Sequence, residues 1–447
     1  MQLDSKQIEA IELCLNKTNR IVAITGAAGT GKTTIIRQVA KRLEDDGISF
    51  ALAAPTGKAA RRITQATGYE AVTCHRLLEY PRPGERDPDT GKALAPGVPK
   101  RDHKNPLSQS VIIVDEYAMV PHELNRNIID ALDRGARLLV FGDINQLPPI
   151  EQNKIVAEQP TPFEEHLERA SVTLEHVYRQ DEDGGILTAA NRIRRGQLPN
   201  RTKDFVLDIS TQQLSRIKDH VVSMKENHGI DFGKIENQII APSKGTWVGT
   251  HALNRVLRDL LNPFPEKSSN LPRHSWEKEI SVLQVSVGDK VVCTENMYDL
   301  RDYTTRFTEW TNDGNPVDSS FVETPPNKMM LNGETGIIVD ITEDGVLFIE
   351  TDDRTVEFPP IYNEWSYKNK RLYEVYPQKS IDLAYALTTH KCQGSEYQRV
   401  VYAISRSMFY MLNRKNFYTA VTRAKEHVIV FCDQQSLQGA LGMGVKK

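Results

Sequence analysis

The sequence predicts an α/β fold in which short parallel strands are flanked by helices, with a smaller β-rich region inserted later in the chain. Short apolar runs are followed by polar turns and then by apolar residues at helical spacing, as expected of strand–turn–helix units. One such unit near the N-terminus contains a Gly-rich turn. Between about residues 262 and 378, Gly-Asp, Asn-Gly and Asp-Gly turns separate short β-rich runs, which is typical of a small β-barrel.

Length and composition set the broad class of protein. The chain has 447 residues, of which 39% are hydrophobic and 26% charged, and its formal net charge is −3. This length corresponds to about three domains of ordinary size. No apolar run approaches the roughly 18 residues of a membrane span, and the start MQLDSKQIEAIELCL lacks a signal peptide's apolar segment. We expect a cytoplasmic protein without membrane segments, and the charge balance leaves nucleic-acid binding open because cationic surface can be local.

The five cysteines are scattered and none forms a C-x-x-C pair. We expect reduced thiols. The stretch LTTHKCQGSEYQ nevertheless places His390 and Cys392 two residues apart, as in half of a metal site or a Cys–His nucleophile pair. A metal would need two further ligands from distant parts of the chain, and no oxyanion or orienting group is nearby in sequence. Both interpretations are therefore disfavoured.

The stretch RIVAITGAAGTGKTTIIRQVAKRL, residues 20–43, contains a phosphate-binding loop pattern, Gly26-x-x-x-x-Gly31-Lys32-Thr33. Backbone N–H groups of such a loop bind phosphate oxygens, and the next helix adds partial positive charge at its N-terminus. Lys32 is expected to reach the β- and γ-phosphates of ATP, and the Thr33 hydroxyl to ligate Mg²⁺. The apolar residues at helical spacing after the loop are Ile35, Ile36, Val39, Ala40 and Leu43.

Two further apolar runs end in polar side chains. Residues 111–114 precede Asp115 and Glu116, so we expect Asp115 to hold Mg²⁺ through water and Glu116 to orient and deprotonate the attacking water. The run ARLLVFGDINQLPPI is expected to end its strand at Gly142 and to place Gln146 near the γ-phosphate. Ligands bind at this carboxyl edge of parallel sheets.

The order of motifs resembles that of superfamily 1 DNA helicases, most closely the RecD-like branch that includes the small phage helicase Dda. Beside the stretches above, the motifs are APTGKAARR (54–62), TCHRL (73–77), VYRQ (177–180), LTTHKCQGSE (387–396) and YTAVTRAKEHV (418–428). The resemblance covers nearly the whole chain. It implies an ATP-dependent DNA helicase, a single-stranded DNA translocase moving 5′-to-3′ that couples ATP hydrolysis to duplex unwinding in replication, recombination or repair.

The resemblance also implies two RecA-like P-loop NTPase domains with ATP in the cleft between them. Arg179 and Arg423 match arginines that would contact the γ-phosphate and neutralise transition-state charge. Gln7 matches a glutamine that reads the adenine edge, and Glu396 is a candidate partner for ribose. Thr33 and Asp115 are the implied Mg²⁺ ligands. The residues expected to contact ATP are Gln7, Gly26, Ala28, Gly29, Thr30, Gly31, Lys32, Thr33, Thr34, Gly394 and Glu396.

A single DNA strand is expected to cross the top of both domains, contacted by hydroxyl and backbone N–H groups that bind phosphates without reading sequence. His75 and His390 can instead stack or hydrogen-bond at a base or sugar. The candidates are Pro55, Thr56, Lys58, Thr73, His75, Ser243, Lys244, Thr388, Thr389, His390 and Lys391. The expected partners are single-stranded DNA, junctions with duplex, and a single-strand-binding or replication protein, and the acting unit is expected to be a monomer.

The predicted domains follow the same resemblance. Residues 1–77 and 108–175 form the first RecA-like domain, and residues 176–261 and 379–447 the second. The Pro- and Gly-rich segment 78–107 is interpreted as a loop or as a pin hairpin that splits the duplex. Residues 262–378 are interpreted as an inserted SH3-like β-barrel, with an extension at about 301–330 that either cups DNA or is disordered.

Two other functions use the same ATP machinery. An RNA-directed superfamily 1 helicase would differ through recognition of the 2′-OH, which is the only group that systematically distinguishes RNA from DNA. An ATP-switched protein that clamps DNA or displaces partners would lack processive unwinding. Assays of strand separation and of stimulation by DNA or RNA distinguish these alternatives.

Overall fold

The computed structural model describes residues 3–81, 97–151, 153–177, 184–272, 282–297, 300, 329–366 and 371–443. The chain divides into two compact units. The first unit is Met1–Asp204 with Asn413–Thr422, and the second is Phe205–Leu412 with Arg423–Lys447.

The first unit is built on a six-stranded parallel sheet in the order β3-β2-β4-β5-β1-β6. Its strands are β1 (Ile21–Gly26), β2 (Phe50–Ala54), β3 (Ala71–Thr73), β4 (Val111–Val114), β5 (Arg137–Gly142) and β6 (Ala170–Leu174). The central strands β4 and β5 are buried along their full length. Continuous apolar burial is expected where helices cover both faces of a parallel sheet.

Nine helices of the described chain belong to the first unit, with a 3₁₀ turn at Tyr117–Met119. They are α1 (Ser5–Leu15), α2 (Lys32–Asp45), α3 (Gly57–Thr67), α4 (Cys74–Leu77), α5 (His122–Asp130), α6 (Lys154–Ala157), α7 (Pro162–Leu167), α8 (Gly185–Arg194) and α11 (Arg414–Val421). The five apolar residues predicted to form one face of α2 are all buried, so that prediction is confirmed. The strand ends predicted at residues 114 and 142 are also confirmed.

The second unit contains a five-stranded parallel sheet in the order β18-β8-β19-β20-β7. These strands are β7 (Phe205–Ile209), β8 (Asn237–Ala241), β18 (Ala386–Thr388), β19 (Tyr397–Ala403) and β20 (Ala424–Cys432). The helices of this unit are α9 (Gln213–His228), α10 (Thr250–Leu261) and α12 (Gln434–Ala440), with 3₁₀ turns at Pro377–Ser380 and Arg406–Met411. Parallel sheets flanked by helices, predicted from the sequence, are therefore present in both units.

An antiparallel region lies within the second unit, in the part of the chain where the turn pattern predicts a small β-barrel. Five strands pair in the order β14-β13-β12-β11-β17, and two separate hairpins pair β9 with β10 and β15 with β16. The strands are β9 (Ser268–Pro272), β10 (Val282–Ser286), β11 (Lys290–Cys293), β12 (Thr335–Ile341), β13 (Leu347–Glu350), β14 (Thr355–Phe358), β15 (Tyr362–Ser366), β16 (Arg371–Val375) and β17 (Ile381–Leu383). The pairing of β17 with β11 carries this sheet past residue 378, the predicted end of the insertion.

The first unit extends further along the chain than the predicted first domain. Residues of α8 pack with it because α8 contacts α11, and the Asp204 carboxylate accepts hydrogen bonds from Ile186 N at 3.1 Å and the Thr202 hydroxyl at 2.7 Å. The structural division therefore falls at Asp204, whereas the sequence motifs predict it at residue 175. Half of the predicted pin (82–96) and most of the extension (301–328) lie outside the described residues. A bilayer-spanning segment is not found among the described helices.

Candidate functional site

The phosphate-loop pattern forms a tight turn between β1 and α2. Gly29 and Gly31 both have a φ of 84°, a left-handed conformation that glycine adopts without steric cost. The Lys32 ammonium donates hydrogen bonds to the carbonyls of Gly26 at 2.7 Å and Ala27 at 3.0 Å. The cation therefore lies against the loop that the pattern predicts to hold phosphates.

Gln7 connects α1 to this loop. Its Nε2 donates to the Thr30 carbonyl at 3.1 Å, and its Oε1 accepts from Asp4 N at 3.2 Å in a capping box. The side chain is 1% exposed. In this structure the Gln7 amide is therefore hydrogen-bonded to the backbone of the phosphate loop. Its contact with adenine stays a prediction.

Gly31 cannot accept a side chain without disturbance. A Cβ at this position would lie 2.3 Å from Gln7 Nε2, and its φ of 84° adds strain. We expect Gly31→Ala to lower the free energy of unfolding by about 2–4 kcal/mol, of which roughly 1–2 comes from the left-handed backbone. Urea unfolding measures this. Gly47→Ala is the matched control because Gly47 has a φ of 66° and open space around it. Equal losses for the two variants would contradict the clash.

Asp115 and Glu116 follow β4 directly. Asp115 is buried, and its Oδ1 accepts the Glu116 backbone N–H at 2.8 Å. Burial, and secondly the Glu116 carboxylate, raise the pKa of Asp115 to about 6, although the positive charges of Lys32 and Arg62 act in the opposite direction. Lys32 and Asp115 therefore interact electrostatically across the carboxyl edge of the sheet.

Glu116 and Gln146 each carry a buried side-chain oxygen. Glu116 has a φ of 53°, and its buried atom is Oε2. Gln146 is 3% exposed, and its buried atom is Oε1. Neither oxygen has a hydrogen-bond partner within the described part of the chain. Because such groups are costly to bury, two of them following the neighbouring strands β4 and β5 indicate a site that binds polar atoms.

The loop that carries Gln146 is fixed by residues from much later in the chain. The Asp143 carboxylate accepts from the Tyr418 hydroxyl at 2.8 Å, and Leu147 N donates to the Thr419 hydroxyl at 2.9 Å. Tyr418 and Thr419 lie on α11, which belongs to the first unit. Both residues fall within the motif YTAVTRAKEHV, but the motif alone predicts a role for neither.

The oxygen ligands near the loop suit Mg²⁺ better than they suit a metal ion whose ligands all come from the protein. Thr33 lies in the first turn of α2, and Asp115 offers a carboxylate at the same sheet edge. Across the described ranges, no group of three or more His, Cys, Asp or Glu side chains is arranged to hold a metal ion. Mg²⁺ typically binds through one or two protein oxygens together with phosphates and water, which suits this set.

In the second unit, Arg423 is buried at 3% exposure and its guanidinium donates to the Ser395 carbonyl at 3.2 Å. Gly394 has a φ of 72°, and Glu396 pairs with Lys425 at 3.4 Å. These residues therefore lie together around the start of β19. Arg179 lies outside the described residues, and the contacts of both arginines with phosphate stay predictions.

The first unit's candidate DNA contacts lie at the carboxyl ends of β2 and β3. The Thr56 hydroxyl accepts from Ala59 N at 3.3 Å and the Thr73 hydroxyl from Arg76 N at 3.1 Å, so they cap α3 and α4. A hydroxyl that accepts a capping bond keeps its own O–H for a phosphate oxygen. Pro55 and Lys58 adjoin Thr56, and exposed His75 lies near the Tyr80 ring at a centroid distance of 4.8 Å.

The second unit's candidates follow β8 and β18, which are neighbouring parallel strands with Thr388 opposite Ala241. The Ser243 hydroxyl lies 3.3 Å from that of Thr246, and Lys244 is exposed. Thr388, His390 and Lys391 are partly exposed. Thr389 differs because it is fully buried and its side chain is hydrogen-bonded to Tyr402. In this structure its side chain is therefore not accessible to a DNA strand.

Burial decides the chemistry of His390 and Cys392. It lowers the pKa of His390, so the imidazole is neutral at pH 7 and can hydrogen-bond or stack but adds no charge. Cys392 is fully buried, and Tyr397 donates its hydroxyl to the sulfur at 3.8 Å. All five cysteines are buried free thiols.

The side-chain amides of Asn254 and Gln238, for which the sequence predicts no role, hydrogen-bond to the backbone around the start of β18. Asn254 donates to the carbonyls of Leu383 and Ala386, each at 3.1 Å, and accepts Ala386 N at 2.7 Å. Gln238 Nε2 donates to the carbonyls of Ala384 and Tyr385 at 3.0 and 3.1 Å. They fix the backbone that leads into Thr388. No local pattern distinguishes such an amide from a solvated one.

The loop, the acidic strand end and the parallel sheet of the first unit together define a P-loop nucleotide-binding protein. Two family models match the chain: an AAA domain over residues 2–210 and a UvrD-like helicase C-terminal domain over residues 383–431.

Curated relatives include the ATP-dependent RecD2 DNA helicase of Deinococcus radiodurans, 29% identical over 91% of this chain and 46% of that protein. The RecBCD enzyme subunit RecD of Mycobacterium tuberculosis is 26% identical over 98% of this chain and 70% of that protein. The chain thus spans about half the length of RecD2. The solved structure of Bacteroides Pif1 helicase with ADP-AlF3 and ssDNA shares the fold, with a TM-score of 0.55, 20% identity and coverage of 96% and 92%. The resemblance predicted from the motifs is confirmed, because the chain is similar in sequence to RecD-like helicases.

Proposed function

We propose that this chain is an ATP-dependent DNA helicase, a single-stranded DNA translocase that couples ATP hydrolysis to duplex unwinding. The observation that carries the proposal is the edge formed by β1, β4 and β5, where the Lys32 ammonium, the Glu116 carboxylate and the Gln146 amide follow adjacent strands. The names of its relatives support the proposal, since RecD2 is described as an ATP-dependent DNA helicase and Pif1 as a helicase.

The chain's own residues supply the chemistry of hydrolysis in this proposal. Lys32 moves from its two loop carbonyls to the β- and γ-phosphates, and the Glu116 carboxylate accepts a proton from the attacking water. Gln146 orients the γ-phosphate or that water, and Arg179 and Arg423 offset charge that develops in the transition state. Mg²⁺ held by Thr33 and Asp115 would neutralise phosphate charge.

The proposed DNA track uses the carboxyl ends of strands in both units. Phosphate contacts come from hydroxyl and backbone N–H groups at these ends, which fits a translocase because such contacts carry no sequence information. Partly exposed Lys58 and exposed Lys244 would add local positive charge to a chain whose net charge is −3. Movement 5′-to-3′ is part of the proposal and rests on the RecD-like relationship alone.

Two structural assignments accompany the proposed function. The antiparallel strands β11 to β14 and β17 are proposed to be an SH3-like domain inserted in the second RecA-like domain. The segment 78–107 is proposed to be the pin. The two ends of this segment are joined, because Arg101 near its end donates to the Glu79 carboxylate near its start at 2.9 and 2.6 Å.

Tailed duplexes test the proposal. With ATP and a protein trap, we expect strand separation from a 5′ tail and none from a 3′ tail. Unwinding only from a 3′ tail would contradict the polarity. ATP hydrolysis and DNA binding without any strand separation would favour the remodelling function. Stronger stimulation of hydrolysis by single-stranded RNA than by DNA would favour the RNA-directed one.

His390→Ala tests whether the segment after β18 couples DNA binding to hydrolysis. Because neutral His390 follows a strand end on the proposed DNA track and precedes Gly394 and Glu396, we expect DNA-stimulated hydrolysis to fall about tenfold. Basal hydrolysis should stay within about twofold. ATPase rates with and without single-stranded DNA measure both, and His228→Ala, an exposed histidine ending α9, is the control. Equal losses in both rates would exclude a coupling role.

A further inference from the structure

We propose that Asp143, Tyr418 and Thr419, named here the clasp, position Gln146 for ATP hydrolysis. The proposal rests on the proposed function, in which Gln146 faces the γ-phosphate, and it adds three positioning residues from two distant segments. None of the three is expected to touch the nucleotide.

The clasp holds the loop on both sides of Gln146. On one side, Asp143 Oδ2 accepts from the Tyr418 hydroxyl at 2.8 Å, while its Oδ1 accepts from Asn145 N at 3.0 Å and Asn145 Nδ2 at 3.2 Å. On the other side, Leu147 N donates to the Thr419 hydroxyl at 2.9 Å. Gln146 N itself donates to the Asp143 carbonyl at 3.1 Å. The backbone of Gln146 is therefore fixed before and after its Cα.

Burial makes the clasp rigid. Asp143 and Thr419 are fully buried, and Tyr418 is 2% exposed. Water does not compete for these bonds, and breaking one leaves a buried polar group unpaired. Gln146 itself has a buried Oε1 without a partner among the described residues. Its position is thus set by the clasp and not by a bond from that oxygen.

The same helix leads directly to a predicted catalytic arginine. α11 ends at Val421, and Thr422 caps it by donating its hydroxyl to the carbonyls of Tyr418 at 2.9 Å and Thr419 at 3.2 Å. The chain enters the second unit at the next residue, Arg423. The clasp therefore joins the loop of Gln146 to the segment carrying Arg423 by a helix of two turns. A role in positioning explains why two consecutive residues of α11 bind this one loop.

Variants that remove single hydroxyls test the clasp. We expect Tyr418→Phe and Thr419→Val to lower kcat for DNA-stimulated ATP hydrolysis roughly 10- to 100-fold, as small misplacements in active sites do. The KM for ATP should change less than about twofold, because ground-state binding does not use Gln146. Thr419→Ser keeps the hydroxyl and should retain the parent kcat. Tyr385→Phe is the matched control, because it removes a similar buried bond, from Tyr385 to Asp289 at 3.0 Å, elsewhere in the fold.

Comparison with Gln146→Ala tests separately the role of Gln146 in hydrolysis and the role of the clasp in positioning it. If the clasp acts through Gln146, the double variant Gln146→Ala with Tyr418→Phe should be no slower than Gln146→Ala alone. If Gln146→Ala hydrolyses ATP slowly while Tyr418→Phe and Thr419→Val hydrolyse it at the parent rate, the clasp is overturned. The role of Gln146 would then still stand. Full hydrolysis by Gln146→Ala would overturn the role of Gln146 itself. If Tyr418→Phe does not fold, the Thr419→Val and Thr419→Ser pair gives the same decision.

Discussion

Lys32→Ala is expected to abolish ATP hydrolysis, lowering kcat/KM by at least about 10³-fold, since groups aimed at developing phosphate charge are among the largest contributors to such reactions. The structure gives the physical reason. The Lys32 ammonium is bonded to the carbonyls of Gly26 and Ala27, so it lies on the loop whose backbone N–H groups are predicted to bind the phosphates. Alanine removes this charge, and the loop glycines that shape the turn stay in place.

The measurement is steady-state ATP hydrolysis with saturating single-stranded DNA. Lys41→Ala is the control, because Lys41 is exposed on the same helix and far along it from the loop. It should retain the parent rate, while circular dichroism should show that both variants keep their helix content. A Lys32→Ala protein that still hydrolyses ATP would contradict the nucleotide site, and with it the proposed helicase mechanism.

Local patterns made the first unit predictable. The phosphate loop, the apolar runs of β4 and β5 and the buried face of α2 each depend on residues close together in sequence. The acidic and amide side chains after those strands follow from the rule that parallel strands end at one edge. For this reason the amino-acid sequence alone is enough to predict that Asp115, Glu116 and Gln146 follow neighbouring strands at one edge of the sheet.

Contacts between distant segments could not be predicted in this way. The bonds of Tyr418 to Asp143 and of Thr419 to Leu147 join residues 275 and 272 positions apart. The return of α11 to the first unit leaves no periodic signal. The same is true of Thr389, which shares a motif with Thr388 but is fully buried and hydrogen-bonded to Tyr402. Exposure along a strand end depends on neighbours that a local pattern does not contain.

Glu116 shows how strain and an unpaired oxygen together indicate function. Only Glu79 and Glu116 combine a side chain with positive φ among the described residues, at 52° and 53°. The two differ in their carboxylates. Glu79 is paired with Arg101 at 2.6 Å, whereas Glu116 Oε2 is buried without a partner in the described chain. Strain of about 1–3 kcal/mol persists where the fold imposes it, commonly at active sites. Glu79 has an ionic partner in Arg101, whereas Glu116 is proposed to face the nucleotide.

Glu116→Gln should therefore separate catalysis from binding. Glutamine has the same shape but cannot accept a proton from water, so we expect kcat for ATP hydrolysis to fall by about 10²–10⁴-fold. Affinity for a fluorescent ATP analogue should change less than about threefold, because ground-state binding relies on the loop and Lys32. Glu79→Gln is the matched control, with the same substitution at the same backbone conformation, and should hydrolyse ATP normally on single-stranded DNA. A parallel loss of binding and turnover in Glu116→Gln would instead assign Glu116 to holding the nucleotide, and the proton acceptor would then have to be another residue.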